Sequence, residues 1–510
     1  MAILTGITDN YVVPGSYVEI RFGMGPSGGN SGPNPILLIG NKTAAGDATV
    51  DTVVYGPSSN GPLLTEQDCI SRFGTGSEIH RMYRRVVQIN KTTPVYAIAA
   101  AESAGTNATL IMNVTVAVSA QGTIRLYVQD EYVDIPTTAT DTLTTIAAAA
   151  AVAVNNKSFW AVTATSALGV LTLTSKNKGP RNNDLRARWF IVQGTPGYTL
   201  DTNVSTSFTS GATSDDWTNA LATALPGFYY YNVSPSNATA GNTLTSLMNQ
   251  VTTQAQPVTG IRQKVITAWV GTQSSGSTVA ATLNNPRCEI YWSQSNEWTS
   301  GEIAAHAAAA EALFEGRSPS YNMDSFGNQP ASQGYWFVPA PSTQTAWPGS
   351  AGTNTALNNG LTPVGVNPAG FGTYIVMRAT TKHKNGASFD YRSRDSHITT
   401  VADAIANDLV AMMETRFRGG KKLAADLPPG ALATDPSVIR PNIIRSGILQ
   451  ILNDYDNAGH LKNLATIKSS LQVYVDPTVP TRSDSYLQLQ VVNLHHQACV
   501  LIDDTSSLTA

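Results

Sequence analysis

Hydrophobic and polar positions change their period several times along these 510 residues, and each change predicts a different kind of element. Between Tyr11 and Phe22, the residues Val18, Ile20 and Phe22 alternate with Tyr17, Glu19 and Arg21, the period of two expected of a strand. That run is cut off by Gly23-Met24-Gly25-Pro26-Ser27-Gly28-Gly29-Asn30-Ser31-Gly32-Pro33, a flexible tether by composition. A strand so isolated must find a sheet edge elsewhere, and another subunit can supply one. Pro35 to Gly40 reads as a short apolar strand, Glu66 to Ile89 as helix broken at Phe73-Gly74-Thr75-Gly76-Ser77, and Val95 to Ala100 as a return to the interior.

From about Ala104 to Ser205 the pattern becomes one of short strands separated by turn residues: Leu110 to Val118, Thr123 to Val128, Phe159 to Thr165 and Gly169 to Thr174, with one helix at Thr142 to Val154. Asp215 to Gly316 then alternates between the two periods. Helices are predicted at Asp215 to Leu225, Asn242 to Ala255 and Ser300 to Gly316, and strands at Phe228 to Val233, Lys264 to Val270 and Arg287 to Ser293. Such alternation predicts a mostly parallel sheet covered on both faces. The run Ala304 to Ala312 gives the last of these helices a thin, close-packing profile.

Near the C-terminus, Thr400 with Asp403 has the form of a loose capping box, followed by Val401, Ile405, Leu409 and Met412 on one helical face. A second helix is predicted from Pro441 to Tyr455, burying Ile444, Ile448, Ile451 and Leu452 and closed by Gly459, and a strand from Leu471 to Val475. The last residues alternate twice, as Leu487, Leu489, Val491 and then Val492, Leu494, Ala498, Val500, Ile502. The one-residue phase shift predicts a bulge or a break between two strands. Both ends of the chain are thus predicted to be strand arms outside any compact unit.

The expected fold class is multidomain α/β plus β: a central α/β sheet domain, an inserted β-rich domain and a C-terminal α+β domain with extended terminal strand arms. The expected boundaries are an N-terminal arm at 1–22, the central domain at 23–103 and 206–398, the insert at 104–205, the C-terminal domain at 399–485 and a C-terminal arm at 486–510.

Composition narrows the function classes. Hydrophobic residues make up 42% and charged ones 13%, about half the usual charged share. Copies of such a surface repel one another weakly, which suits a subunit that polymerises. A net charge of −3 leaves no electrostatic footprint for nucleic acid. Cys69, Cys288 and Cys499 are too far apart to outline a disulfide framework or a zinc site and fit a reducing cytoplasm. The opening Met1-Ala2-Ile3-Leu4-Thr5 lacks the basic and apolar regions of a secretory leader. The longest apolar run, Ile146 to Val154, is too short to span a membrane.

Candidate chemistry is sparse. The Gly-rich tether has no Gly-Lys-Ser/Thr ending, and no Gly-x-Gly-x-x-Gly opens a helix, so no nucleotide cofactor is expected. Asp395-Ser396-His397 holds triad residue types, but triad members converge from separate loops, so a solvated loop before a helix is expected. His495-His496 would point to opposite faces of a strand and share no metal. Asp503-Asp504 reads as a polar strand stop. No catalytic, cofactor or metal residues are expected. The one concentrated basic cluster, Arg416-Phe417-Arg418-Gly419-Gly420-Lys421-Lys422, reads either as a solvated helix C-terminus or as a docking patch for an acidic partner, through Arg416, Arg418, Lys421 and Lys422.

Several segments, in order, resemble the tail sheath family of Mu-like contractile phages. They are Val13-Pro14-Gly15-Ser16-Tyr17-Val18-Glu19-Ile20, Leu37-Leu38-Ile39-Gly40, Phe73-Gly74-Thr75-Gly76-Ser77 with Arg81-Met82, and Leu171-Thr172-Leu173-Thr174-Ser175-Lys176-Asn177-Lys178-Gly179. Further on come Asn359-Gly360-Leu361-Thr362-Pro363, Arg378-Ala379-Thr380-Thr381, Lys422-Leu423-Ala424-Ala425-Asp426 and Tyr455-Asp456-Asn457-Ala458-Gly459. Ser320 to Ser350 and His495-His496 depart from the pattern. The resemblance implies a structural, non-enzymatic subunit of a six-fold helical sheath that surrounds a tail tube and contracts to drive it through the host envelope. It implies inter-subunit strands through Tyr17, Val18, Ile20, Phe22, Leu489, Val491, Leu494 and Val500. The implied partners are the chain itself, the tail tube protein, and baseplate and tail terminator proteins, with no direct nucleic-acid contact and no membrane insertion. It places the protein in the virion after assembly in the host cytoplasm, with the C-terminal domain toward the tube and the insert outward. The sheath of a related phage-like injection system or bacteriocin is the alternative.

Overall fold

The computed structural model describes residues 16, 34–57, 61, 63–115, 120–193, 207–227, 229–235, 241–315, 349–366, 373–375, 378–390, 392–417, 421–431 and 435–493. The fold is mixed α/β with several sheets. It opens with β1 (Ile36–Gly40), β2 (Val54–Tyr55), α1 (Glu66–Phe73), α2 (Glu78–Ile89) and β3 (Val95–Ala99). Each helix starts where a hydroxyl can serve its free N–H groups: Thr65 and Asp68 form a reciprocal capping box on α1, and Ser77 accepts from the His80 N–H on α2. Gly74 and Gly76 take positive φ between the two helices, as the Phe73-to-Ser77 turn predicts.

Residues 107–193 carry β4 (Asn107–Asn113), β5 (Gly122–Val128), β6 (Glu131–Thr137), α3 (Leu143–Asn155), β7 (Val162–Ala167), β8 (Val170–Lys178) and β9 (Ala187–Gln193). They form two three-stranded antiparallel sheets, β4-β8-β7 and β6-β5-β9, around a core of their own that includes Leu110, Ile124, Leu126, Ile146, Val154, Trp160, Leu171 and Leu173. The strands β6 and β9 are additional to those read from the pattern. In β6 only Ile135 and Thr137 are buried, so its alternation is weak, as befits an edge strand carrying Pro136.

The chain then builds α4 (Thr218–Ala224), β10 (Tyr231–Val233), α5 (Gly241–Gln254), β11 (Lys264–Trp269), α6 (Gln273–Leu283), β12 (Cys288–Trp292), α7 (Ser300–Glu315), α8 (Ser350–Asn358), β13 (Thr362–Val366) and β14 (Thr373–Ile375). These strands join the first three in one eight-stranded sheet, ordered β14-β13-β12-β11-β10-β1-β3-β2. Its interior pairs are parallel, and only β13–β14 and β2–β3 are antiparallel. Both faces are covered. Ile36 and Leu38 pack toward α2 and α7, while Leu37 and Ile39 pack toward α4 and α5, which is why β1 reads as an unbroken apolar run.

Beyond the small hairpin β15 (Lys384–Asn385) and β16 (Ser388–Phe389), the chain forms α9 (His397–Met412), β17 (Lys422–Leu423), β18 (Val438–Ile439), α10 (Pro441–Asn457), α11 (Leu464–Ser470), β19 (Gln472–Val475) and β20 (Ser483–Tyr486). A further core joins Ile405, Leu409 and Met412 of α9 to Ile444, Ile448 and Leu452 of α10, and to Ile467, Leu471 and Val491.

Two expectations for this part of the chain are overturned. The helix α9 starts at His397, with Ser396 as its cap residue, and not at Thr400; Thr400 and Asp403 lie inside it and are both 1% exposed. The C-terminal arm does not leave the compact unit at residue 486. Val491 is fully buried and bridges Leu461, and Leu487 and Leu489 pack on the same core. Val491 is covered within the chain while Leu487 and Leu489 remain half-buried, and residues 487–493 form no regular strand.

Candidate functional site

The Ala-rich helix α7 is buried from Ser300 to Ala312 and at Glu315, wedged between α2 and the central sheet. Between Ala304 and Ala310 only His306 carries polar side-chain atoms, so the charged chemistry of this helix is concentrated in Glu302 at one end and Glu311 and Glu315 at the other. Each end meets a different part of the chain.

At the N-terminal end, Glu302 is 2% exposed. It accepts from Arg81 Nη1 at 3.1 Å and Arg85 Nε at 3.3 Å, both on α2, and from the Thr299 N–H at 3.2 Å and hydroxyl at 2.8 Å. The Gln129 side-chain amide also donates to it. Gln129 and Asp130 form the β5–β6 turn, with Gln129 at φ 57°, and Asp130 receives Arg85 Nη2 at 2.8 Å. The guanidinium of Arg85 lies over the Trp298 ring, 3.8 Å from its centroid. One hairpin of residues 107–193 is thereby tied to α2 and α7. Burial alone would raise the Glu302 carboxyl, but Arg81 and Arg85 outweigh it and hold it down to about 2. A second tie runs from Arg181 to Glu78 at 2.6 Å and to Asp215 at 2.7 Å, again with all three side chains buried.

At the C-terminal end, Lys264 of β11 is 0% exposed. Its ammonium donates to Glu289 Oε1 at 2.9 Å, Glu315 Oε1 at 3.4 Å and Ser396 Oγ at 2.7 Å. Arg378 pairs with Glu315 and lies 3.6 Å from Glu289. The Ser396 hydroxyl donates to Glu289, and the Thr400 hydroxyl donates to Glu315 Oε1 at 2.9 Å, so two residues of α9's first turn are anchored on carboxylates of the central unit. Alongside, Arg287 makes a two-pronged ion pair with Asp403 at 2.6 and 2.7 Å, and the Tyr230 hydroxyl donates to Asp403 at 3.1 Å. Asp403 and Thr400 are therefore not caps but the α9 side of a buried junction.

The Asp395-Ser396-His397 segment is also not a solvated loop, because its residues are 9%, 1% and 1% exposed. Nor does it form a triad. His397 turns Nε2 to the Val492 carbonyl at 3.2 Å, away from Ser396, and burial pulls its imidazole down to about 4 despite the nearby Asp395. Ser396 does contact an amine, Lys264. Burial would lower that amine, yet the carboxylates of Glu289 and Glu315 keep it above its ordinary value. A protonated lysine cannot take the serine proton. Among the described residues no group of three or more His, Cys, Asp or Glu is placed to hold a metal ion, and no helix is long and apolar enough to cross a membrane.

The other predicted site residues are dispersed. Arg416 is exposed on a wide turn, Met413–Phe417, that continues α9; it donates to Gln450 at 2.9 Å. Lys421 donates to the Pro436 carbonyl at 3.3 Å. Lys422 pairs with Asp435 at 3.5 Å in an exposed contact. Arg416 and Lys421 share a shallow groove with Phe417, Asp435, Ile439 and Ile443. Arg418 lies outside the described residues, as do Tyr17, Val18, Ile20, Phe22, Leu494, Val500, His495-His496 and Asp503-Asp504. Leu489 and Val491 are held by their own chain, as described above. Of the N-terminal arm, Ser16 is described, and its N–H donates to Glu414 Oε1 at 3.1 Å.

The buried ionic residues were not singled out as a site in the sequence, although they left a signal. Lys264 and Glu289 interrupt otherwise apolar strands, and Glu311 and Glu315 stand four apart on an apolar helix. In a chain with so little charge, ions inside core elements mark junctions.

No family profile matches the chain. Among curated proteins it is similar to the Mu-like prophage FluMu tail sheath protein of Haemophilus influenzae, with 23% identity over 495 residues covering 94% of this chain and 95% of that protein. That relative bears out the resemblance to the Mu-like tail sheath family. Similar solved structures include a sheath tail protein of Desulfitobacterium hafniense (TM-score 0.45, 12% identity, 94% of this chain and 100% of that one) and a sheath tail protein of Listeria innocua (TM-score 0.46, 11% identity, 91% and 96%). A chain of the anti-feeding prophage baseplate gives a TM-score of 0.47 with 10% identity over 97% and 99%.

Proposed function

We propose that this chain is the structural sheath subunit of a contractile phage tail, polymerising as a six-fold helical sheath around the tail tube and contracting to drive the tube through the host envelope. The observation that carries this reading is the likeness to a curated tail sheath protein over 94% of the chain, end to end and not confined to one unit. The buried junctions fit it as well. Ions closed to solvent and bonded across elements distant in sequence fix how units of one chain are oriented. A subunit that transmits motion through a polymer needs such fixed orientation. In this reading residues 104–205 form the outward insert, residues 23–103 and 206–398 the central unit, and residues 399–485 with the packed segment up to Asn493 the inner unit. The terminal arms, through Tyr17, Val18, Ile20 and Phe22 and through Leu494 and Val500, add strands to neighbouring subunits. Arg416, Arg418, Lys421 and Lys422 face an acidic tube wall, where weak contacts multiply by repetition. The partners are further copies, the tube protein, and the baseplate and terminator proteins.

Electron microscopy of the purified protein tests the reading. Tubes of regular helical order are expected. Deleting residues 1–23, or those after Asn493, is expected to leave a folded monomer that forms none. Monodisperse particles from the full chain under all assembly conditions, or normal tubes from both truncations, would overturn it.

A further inference from the structure

The C-terminal end of α7 holds more buried acid than buried base. Glu289, Glu311 and Glu315 face Lys264 and Arg378, and none of the five exceeds 5% exposure. Two cations neutralise two carboxylates; a third ionised carboxylate in a dry cluster would be an uncompensated charge, which proteins avoid by keeping the proton. The hydrogen bonds identify the odd acid. Glu289 accepts from Lys264 and Ser396 at Oε1, its Oε2 having no hydrogen-bond partner but standing 3.6 Å from Arg378 Nε, and Glu315 accepts from Lys264, Arg378, Thr400 and Tyr231; Glu311 alone accepts from no charged donor. Glu311 accepts from Tyr291 at Oε1, 2.6 Å, while its Oε2 has no hydrogen-bond partner and stands 3.5 Å from Lys264 Nζ and 4.0 Å from Arg378 Nη1.

We propose that this cluster is a proton-operated latch: one buried proton on Glu311 balances it, and loss of that proton loosens α9 from the central sheet. The groups that face Glu311 come from every neighbouring element: Glu315 on α7 itself, Lys264 on β11, Glu289 and Tyr291 on β12, Tyr231 on β10, Arg378 beyond β14, and Ser396 and Thr400 on α9, with Asp395 and His397 behind them. Burial and the charge on Glu289 push the Glu311 carboxyl up to about 8, against the opposing pull of Arg378 and Lys264. When the proton leaves to solvent, three negative charges confront two positive ones. The repulsion falls on Glu289 and Glu315, the two acceptors that hold the Ser396 and Thr400 hydroxyls.

The sign of the pH effect follows. An unfolded glutamate titrates near 4.5 and the folded one near 8, so the folded chain holds one more proton in between. The stabilisation is complete below the unfolded value and is lost as pH rises toward 8, by up to about tenfold in the unfolding constant per pH unit.

The test compares wild type with Glu311→Gln, which stays neutral, by urea unfolding from about pH 6 to about pH 9. The ratio of the two unfolding constants is expected to shift by about fiftyfold between about pH 6 and about pH 8; parallel profiles would overturn the proposal. Should the variant not fold, difference infrared spectroscopy on protein carrying Asp184→Asn and Asp484→Asn, which lacks the other described acids that burial pushes up, reads the same proton. A protonated-carboxyl band at neutral pH that disappears reversibly in alkali is expected, and its absence at neutral pH would refute the latch. Amide exchange, corrected for intrinsic rates, is expected to quicken in α9 above about pH 8 before it does in β5 and β6; uniform quickening would also refute it. None of these outcomes depends on whether the chain polymerises.

Discussion

The two ends of α7 stand roughly 20 Å apart along one helix and solve the burial of charge in opposite ways. At the N-terminal end, Glu302 and Asp130 meet Arg81 and Arg85, two acids for two bases. Each acid there has a partner that cannot titrate away, since arginine does not deprotonate in proteins. At the C-terminal end, three acids meet two bases, and the balance depends on a proton. The first arrangement gives a joint to the β5–β6 hairpin that is indifferent to pH over the neutral range. The second gives a joint to α9 that is conditional. Ion pairs of this kind add little net stability over an apolar core, but removing one partner is costly because the other is left unpaired.

That asymmetry sets the order of expected effects. The largest belongs to Arg378→Met, which leaves Lys264 alone against Glu289 and Glu315; a loss of ~3–5 kcal/mol is expected, read by urea unfolding. Glu302→Gln is expected to cost about 3 kcal/mol, the lower end of the range for a broken buried pair, because Asp130 still holds Arg85. Amide exchange should place that damage in β5 and β6 while α9 keeps its protection; the reverse location would break the comparison.

Acid acts on both ends through histidine. Burial pulls His306, near the first joint, down to about 3, with Arg85 adding to the effect, and holds His397, near the second, down to about 4. Both take a proton at ordinary pH only when unfolded, so the stability present above about pH 6.5 is lost as pH falls. At about pH 5 each is expected to have removed ~2 kcal/mol. His306→Gln should flatten the melting-temperature profile between about pH 7 and about pH 5; an unchanged profile would show that its ring is solvated. The smallest effect on stability is expected from Arg416→Glu with Lys421→Glu, within about 0.5 kcal/mol, since both side chains are exposed. Assembly on tubes should nevertheless fail while self-assembly persists, and normal tails from that double variant would reduce the cluster to a solvated helix end.

What the sequence determined by itself was the kind and order of the elements with the clearest periods. Continuous apolar runs such as Ile36 to Ile39 announced strands buried on both faces, and the alternation after Asp215 announced a parallel sheet, because burial on one face or two leaves a period in the chain that tertiary structure does not alter. The Ala-rich profile announced that α7 would be tightly packed. Tertiary structure alone decided what its glutamates do. Glu302 meets Arg81 across more than two hundred positions, and Lys264 meets Ser396 across more than one hundred; no local period encodes a pairing at such separation. For the same reason Thr400 and Asp403 have the spacing of a cap yet are buried partners of Glu315 and Arg287. The alternation of Leu487, Leu489 and Val491 has the form of a free arm yet closes the chain's own core. A polar residue before a helix and a polar residue inside a junction are written with the same letters, and only the surfaces brought against them distinguish the two.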